Sequence, residues 1–518
     1  MLKAHGSNPP DDHLIAVDRF IQATRDSGYK GTASAISEVV DNSLQAGATE
    51  ILISVVPEPG DQSGGLTIEV VDNGCGMTAA ALRQALRFGG TSRFNDRSGL
   101  GRYGMGLPNS SLSQARLLQV ISWQSPRQGW KCYLDLDEIA QGKTVTVPIS
   151  ERTAVPSIAV GHDYHSGTVV RWLRCDRLDY RKSNTIATKL RSSLGRIFRH
   201  FIWNGVTIKI NGQAVDPIDP LCVDARSSVT GAALYAEPLE YDIDIPLPDG
   251  KGSATGRVTV RFAELPVHKW HGLSNEEKQA LGISKGAGVS IVRSNREIDF
   301  GWFFMGDKRR ENYDDWWRCE LQFDPGLDEV FGITHTKQQI HPTHNLAQVL
   351  TPDLEATAKT LNRRVRQAHE RLQGVARIAE SQSRAAVREK NLPPLPKRSS
   401  TQVEAEFKAV TRKHPELLLK PSGSDSVKYS MVVMNRNNTQ MFKTARQGGH
   451  ILLTLNADHP FYKKLYAPLC DDSDPRLRTV RQQIELFLFA AARSEIVVGK
   501  SADKFLSYWS DIVATFLQ

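Results

Sequence analysis

The stretch "SEVVDNSLQAGATEILI", residues 37–53, sets Glu38, Asp41 and Asn42 within one turn of an otherwise apolar, helix-like run. A small-residue turn and a strand-like run follow. Glu38 and Asn42 are spaced i, i+4, so a helix projects them from one face while Ile36, Val39, Val40 and Leu44 turn to a core. A carboxylate beside an amide oxygen suits two tasks: taking a proton from water and holding a hard cation such as Mg2+. Taken alone, the pair is weak evidence, and an exposed or capped helical glutamate explains it more readily.

Two further groups carry chemistry. In "VVDNGCGMT" an acid, Asp72, ends an apolar strand, and Gly74 and Gly76 follow it. Glycine permits close backbone approach and positive φ, and a strand-end carboxylate facing a pocket can accept a hydrogen bond from an exocyclic amine. A tight turn or a weak calcium loop reads the same residues. In "SGLGRYGMGLPNSSLSQA", Gly99, Gly101, Gly104 and Gly106 run into an expected helix. Free backbone N–H groups at a helix N-terminus cradle phosphate. A plain flexible loop is the alternative.

The elements that must position these groups read as follows. Residues 13–47 are expected to be helical, and "ATEILISVVPE" and "GGLTIEVVDNG" alternate as strands do. The runs "ARLLQVISW", "WKCYLDL", "TVTVPI" and "GTVVRWL" add strands to a mixed sheet, which a basic helix ending near Phe201 closes. From about Gly205, "VTIKINGQAV" is expected to open a second α/β unit that continues to "FGITHTKQQIHPT". Leu354, Ala358, Leu361, Val365, Ala368, Leu372, Val375 and Ala379 form a heptad seam. The seam is weakened by its alanines, so a long helix packed on its own domain and an intermolecular coiled coil both remain open. "NLPPLPKRSS" reads as a stiff linker, and a last α/β unit follows.

Composition bounds the class. A chain of 518 residues with 40% hydrophobic and 24% charged residues and a mean hydropathy of −0.36 is modular and globular, neither disordered nor fibrous. The six scattered cysteines contain no CxxC pair, which argues against a zinc site or a disulfide framework. No signal-peptide run opens the chain and no apolar stretch is long enough to span a bilayer, so a cytoplasmic protein without membrane contact is expected. Residues 354–413 hold fourteen Lys/Arg against six Asp/Glu, a net +8 that equals the excess of the whole chain. A second basic run, Arg181 to Arg199, contains no acid. Such fields favour a polyanion such as DNA, and solvated helix faces are the plain alternative.

The order of the motifs is more specific than any one of them. "EVVDNSLQAGAT", "DNGCGM", "GRYGMG" and "SGTVV" (Ser166 to Val170) resemble, in sequence order, the nucleotide-binding motifs of the GHKL ATPase superfamily. That superfamily spans gyrase-type, heat-shock-chaperone, histidine-kinase and MutL-type proteins. No GxxxxGK[ST] loop competes for nucleotide binding. The resemblance implies an α/β fold: a Bergerat-type ATP-binding α/β sandwich (1–203), a transducer-like α/β domain (204–350), a basic long helix and Pro-rich linker (351–400), and a C-terminal α/β domain (401–518). It implies Glu38 as general base, Asn42 as Mg2+ ligand, and Asp72 as reader of the adenine amine with Thr168 in support. Gly74 and Gly76, with Met77 beside them, would shape the adenine pocket. Gly101, Arg102, Tyr103, Gly104, Met105 and Gly106 would form the phosphate lid. Lys337, beside Gln338 in "FGITHTKQQIHPT", would reach the γ-phosphate. Asp41 stays open between contact with nucleotide or water and tuning of Glu38 by like charge.

Within the superfamily, Glu38 argues for hydrolysis, and "EVVDNSLQAGAT" with "GRYGMGLPNSS" looks most like the prokaryotic MutL and MORC branch. What that implies is an Mg-dependent ATPase whose ATP-driven N-terminal dimerisation acts as a clamp, on DNA, in restriction-modification or anti-phage defence. Partner proteins would bind the C-terminal domain. A chaperone-like remodelling ATPase and a mismatch-repair scaffold are the alternatives.

Overall fold

The computed structural model describes residues 17–26, 29–58, 64–90, 104–227, 229–246, 253–284, 286–333, 339–396, 400–418, 427–471, 474–499 and 501–517. The chain forms two compact units, one from Met1–Leu265 with Asn275–Leu361, the other from Pro266–Ser274 with Asn362–Gln518.

The first unit holds two sheets. Strands β1 (Glu50–Pro57), β2 (Leu66–Asp72), β3 (Ala115–Ser125), β4 (Gln128–Asp135), β5 (Glu151–Thr153), β6 (Gly167–Cys175), β7 (Thr207–Ile210) and β8 (Gln213–Ala214) form an eight-stranded sheet in the order β5-β4-β3-β6-β2-β1-β7-β8. Period-2 alternation sorts its side chains. Ile51, Ile53 and Val55 of β1 join Ile36, Val39 and Val40 of the helix Thr32–Gln45 and Leu190 and Leu194 of the helix Ser183–Ile197. Leu52, Val71, Ile121, Trp123 and Val169 build a smaller cluster on the opposite face. This is the expected α/β sandwich.

Two expectations differ. "TVTVPI" forms no strand: Val145 and Ile149 are 72% and 78% exposed, and the Val147 and Pro148 carbonyls accept from Arg83 Nε and Cys132 Sγ instead of from a ladder. Of its alternating residues only Val147 packs against the core, and the segment pairs with no strand. "VTIKINGQAV" supplies β7 and β8, which extend the first sheet, because β7 pairs in parallel with β1 and buries Ile208 and Ile210 in that core.

Strands β9 (Ala233–Pro246), β10 (Ser253–Glu264), β11 (Val289–Arg293), β12 (Arg296–Gly301) and β13 (Trp317–Phe323) form the second sheet, ordered β12-β11-β13-β10-β9. Its core takes in Leu346, Leu350, Leu354, Ala358 and Leu361 from the start of the helix His344–Arg388. The heptad seam is therefore filled from within the chain over its first positions, through buried Val365, while Ala379 is exposed.

A buried ion cluster ties the basic helical run to the second sheet. Arg199, fully buried, donates to Glu297 at 3.2 Å and to Glu320 at 2.5 Å, and Arg196 donates to Glu297 at 2.7 Å. Arg261 also pairs with Glu320. Burial pushes the Glu320 carboxyl up, but the Arg199 and Arg261 charges outweigh it and hold the group below its ordinary range. Two arginines of the acid-free basic run are thus spent internally, and Arg181, Lys182 and Lys189 are left exposed. Arg199→Met should cost about 3–5 kcal/mol in denaturant unfolding, because it strips a buried carboxylate pair of its main cation. A loss below about 1 kcal/mol would contradict this placement.

In the second unit, β14 (Lys428–Met434), β15 (Phe442–Gln447) and β16 (His450–Asn456) form a sheet ordered β14-β16-β15, against which the helix Pro475–Val498 sets Leu488, Phe489 and Ala492. His459 accepts from Phe461 N–H and lies 3.1 Å from the Ser510 carbonyl, so "NADHPFY" is a strand-end turn. On the helix Ser501–Phe516, Phe505 and Phe516 are 68% and 84% exposed. No helix among the described residues is long and apolar enough to cross a membrane.

Candidate nucleotide site

The helix Thr32–Gln45 is fixed at both ends by distant groups. Asp179 Oδ2 accepts from Thr32 N–H at 2.8 Å and so satisfies one of the orphan donors of the first turn. At the other end, the Ala46 carbonyl accepts from Cys75 N–H at 2.9 Å, which docks the Asp72–Gly76 loop on the helix terminus. With Ile36, Val39 and Val40 in the core, the opposite face carries Glu38, only 3% exposed, and half-buried Asn42.

Asp72 ends β2 in the middle of the sheet. Its Oδ2 accepts from Ser43 Oγ and its Oδ1 from Gly74 N–H, both at 2.9 Å. Burial raises its carboxyl above the ordinary value of 3.8, and the bonds from Gly74, Ser43 and the Thr168 backbone offset this only in part. Thr168 is the register partner of Asp72 on β6, and its hydroxyl lies 2.9 Å from Ser122 Oγ. Ser122, fully buried, also accepts from Met77 N–H at 2.8 Å and donates to the Gly167 carbonyl. Gly76 sits at φ +66°, and a Cβ there would lie 1.9 Å from the Trp123 carbonyl. Only glycine fits that approach.

The helix Gly106–Gln114 starts at Met105 with no side-chain cap. A Cβ on Gly106 would stand 2.8 Å from Glu38 Oε2, so the Glu38 carboxylate lies against the positive end of this helix. Gly104, at φ +64°, and Met105 are half-buried beside it. Tyr29 is packed nearby, and its phenol is pushed up by burial and then by the Glu38 and Asp41 charges.

The structure therefore brings Glu38, Asn42, Asp72, Gly74, Gly76, Met77, Gly104, Met105, Gly106 and Thr168 to one end of the sheet and the two helices over it. Gly101, Arg102, Tyr103, Lys337 and Gln338 lie outside the described residues. Among the described residues no group of three His, Cys, Asp or Glu could hold a metal ion alone. Mg2+ that takes one or two protein ligands and completes its shell with phosphate and water needs no such group. Sequence reasoning missed Ser43, Ser122 and Arg296. Ser122 has a signal, a polar residue at an inward position of the apolar strand "LLQVISW". Arg296, whose Nε donates to Asp41 Oδ1 at 2.9 Å across 255 residues, has none.

Residues 29–168 match the family described as histidine kinase-, DNA gyrase B-, and HSP90-like ATPase. This segment, about a quarter of the chain, is similar to the ATPase domain of the GHKL superfamily. Within the superfamily the chain is MutL-like. It is 26% identical over 245 residues to the DNA mismatch repair protein MutL of Shewanella loihica, 45% of this chain and 36% of that protein. To MutL of Sphingopyxis alaskensis it is 34% identical over 108 residues, 20% of this chain and 17% of that protein. To MutL of Halobacterium salinarum it is 44% identical over 91 residues, 17% of this chain and 13% of that protein. The chain thus spans about a third or less of these relatives.

Proposed function

We propose that the chain is an Mg-dependent ATP hydrolase whose nucleotide state drives a conformational switch on DNA. The observation that supports it best is the placement of the Glu38 carboxylate at the N-terminus of the helix Gly106–Gln114, a short distance along the motif helix from the Asp72 pocket. In this reading Asp72 accepts from the adenine amine while Thr168 and Ser122 fix the pocket floor. Gly74 and Gly76 shape the pocket by packing where a Cβ would meet the Ala46 side chain and the Trp123 carbonyl. Gly104, Met105 and Gly106, with Gly101, Arg102 and Tyr103, offer N–H groups to the phosphates. Mg2+, held by Asn42, would neutralise phosphate charge. Glu38 takes the proton of the attacking water, and Lys337 stabilises charge on the γ-phosphate.

Contacts made in only one nucleotide state can bias a closed dimer over an open monomer, and only that difference can do so. The exposed cations of the two basic runs suit duplex phosphates. The exposed Phe487, Phe505, Tyr508 and Phe516 suit a protein partner of the C-terminal unit. Genome defence, through restriction-modification or anti-phage action, is the setting this reading favours. A chaperone-like remodelling ATPase or a mismatch-repair scaffold is the second reading, favoured by that apolar surface and by the MutL relatives.

Duplex binding separates the two. A DNA switch should bind duplex at low salt, lose affinity steeply as salt rises, and change its ATPase rate with DNA. Absence of binding at low salt, with or without a non-hydrolysable ATP analogue, would sink the DNA reading.

A further inference from the structure

Asp41 lies between Glu38 and Asn42 on the motif helix, fully buried, and its carboxylate is gripped by Arg296. Arg296 opens β12 directly after a two-residue turn, Ser294 and Asn295, whose φ values of 48° and 65° make a tight hairpin of β11 and β12. That hairpin is anchored on several sides. Arg293 Nε and Nη2 fork onto Asp328 at 2.6 and 2.8 Å, and Asp299 Oδ2 accepts from Ile340 N–H at 3.1 Å. Asp328 and Ile340 flank residues 334–338. Glu297, next to Arg296, is held by Arg196, Arg199 and Ser290.

A buried ion pair between two elements is a poor way to gain stability, since apolar residues of similar volume do as well. It is a good way to fix relative placement, because both charges lose their compensation if the elements shift. Asp41 is three residues from Glu38 and one from Asn42, so any rotation or slide of the helix that strains the Arg296 contact displaces both.

We propose that Arg296 is a positioning residue for the ATPase site: through Asp41 it sets the placement of Glu38 and Asn42, and it links nucleotide state to the β11–β12 hairpin. The proposal rests on the ATP-hydrolysing reading above. Linkage is reciprocal, so nucleotide in the site must also be felt at the hairpin.

The test uses the full chain with Arg296→Gln, Asp41→Asn and the Asp41→Asn/Arg296→Gln double, in which the pair carries no charge and an amide stands in place of the shortened guanidinium. Each should lower kcat roughly 10–100-fold, the cost of an ångström-scale misplacement. The double should lose no more than a single, because the two residues act as a unit. Affinity for a non-hydrolysable ATP analogue with Mg2+ should change less than about threefold, well under 1 kcal/mol. In the unaltered protein the analogue should slow amide exchange over residues 289–301, and in the double it should not. If either single fails to fold, the double decides. Unchanged kcat in the double, or analogue-induced protection that survives there, overturns the proposal. A native chain that binds the analogue yet never hydrolyses ATP would instead overturn the hydrolase reading, and the exchange experiment would still decide whether the pair couples the two elements.

Discussion

Glu38→Ala should reduce ATP turnover by about 10²–10⁴-fold, the range for loss of a positioned general base, while nucleotide affinity changes less than about threefold. The split follows from where Glu38 sits. Its carboxylate lies at the start of the helix Gly106–Gln114 and takes no part in the Asp72 pocket, whose bonds come from Ser43, Gly74 and Thr168. Removing it takes away the acceptor for the water proton without removing a group that reads the base. The fold should tolerate the change, because deleting a nearly buried carboxylate also deletes its desolvation cost. Phosphate release under saturating ATP and equilibrium binding of a non-hydrolysable analogue measure the two halves separately. Undiminished release would remove Glu38 from the role of base.

Asp72→Asn should abolish measurable ATP binding, at least about 100-fold in affinity, because a buried site built to accept from an amine is left presenting a donor. The isosteric change keeps the local bonds: the amide oxygen can still accept from Gly74 N–H, and the Ser43 hydroxyl can turn to accept from the amide nitrogen. Binding should therefore vanish without loss of stability. The same carboxylate gives a pH dependence in two directions. Its folded pKa is raised above 3.8 by burial, so ionisation costs folded stability at pH values above that raised pKa, and the cost is relieved as pH falls through it. Nucleotide affinity runs the other way, since only the carboxylate accepts from the amine. It should fall on acidification at a higher pH than an ordinary aspartate would set, in a range where Asp72 itself does not destabilise the fold. Binding titrations across acidic pH check this. Affinity that holds level down to pH 3.8 would show that Asp72 does not read the base.

Local patterns in the chain were legible where the chemistry is local. The i, i+4 pair of Glu38 and Asn42, the acid ending β2 and the glycines before the helix Gly106–Gln114 each lie within one element, and their order identified the superfamily. What could not be read is what arrives from far along the chain. Asp179 fixes the motif helix from 147 residues away and Arg296 grips Asp41 from 255, and nothing in either neighbourhood announces the contact. Alternation also misled where the segment pairs with no strand, as at "TVTVPI". Net charge misled where arginines face carboxylates inside the fold, as at Arg196 and Arg199. Asp41, left open by its neighbours in sequence, finds its partner Arg296 only in the second sheet.

The most direct test of the central claim, an adenine-reading site around Asp72, is a titration of the purified chain with non-hydrolysable ATP and GTP analogues in the presence of Mg2+. Saturable binding of the adenine analogue is expected, at least about tenfold tighter than that of the guanine analogue, which offers an exocyclic carbonyl where adenine offers an amine. Equal binding of the two, or no saturable binding of either, would contradict that claim.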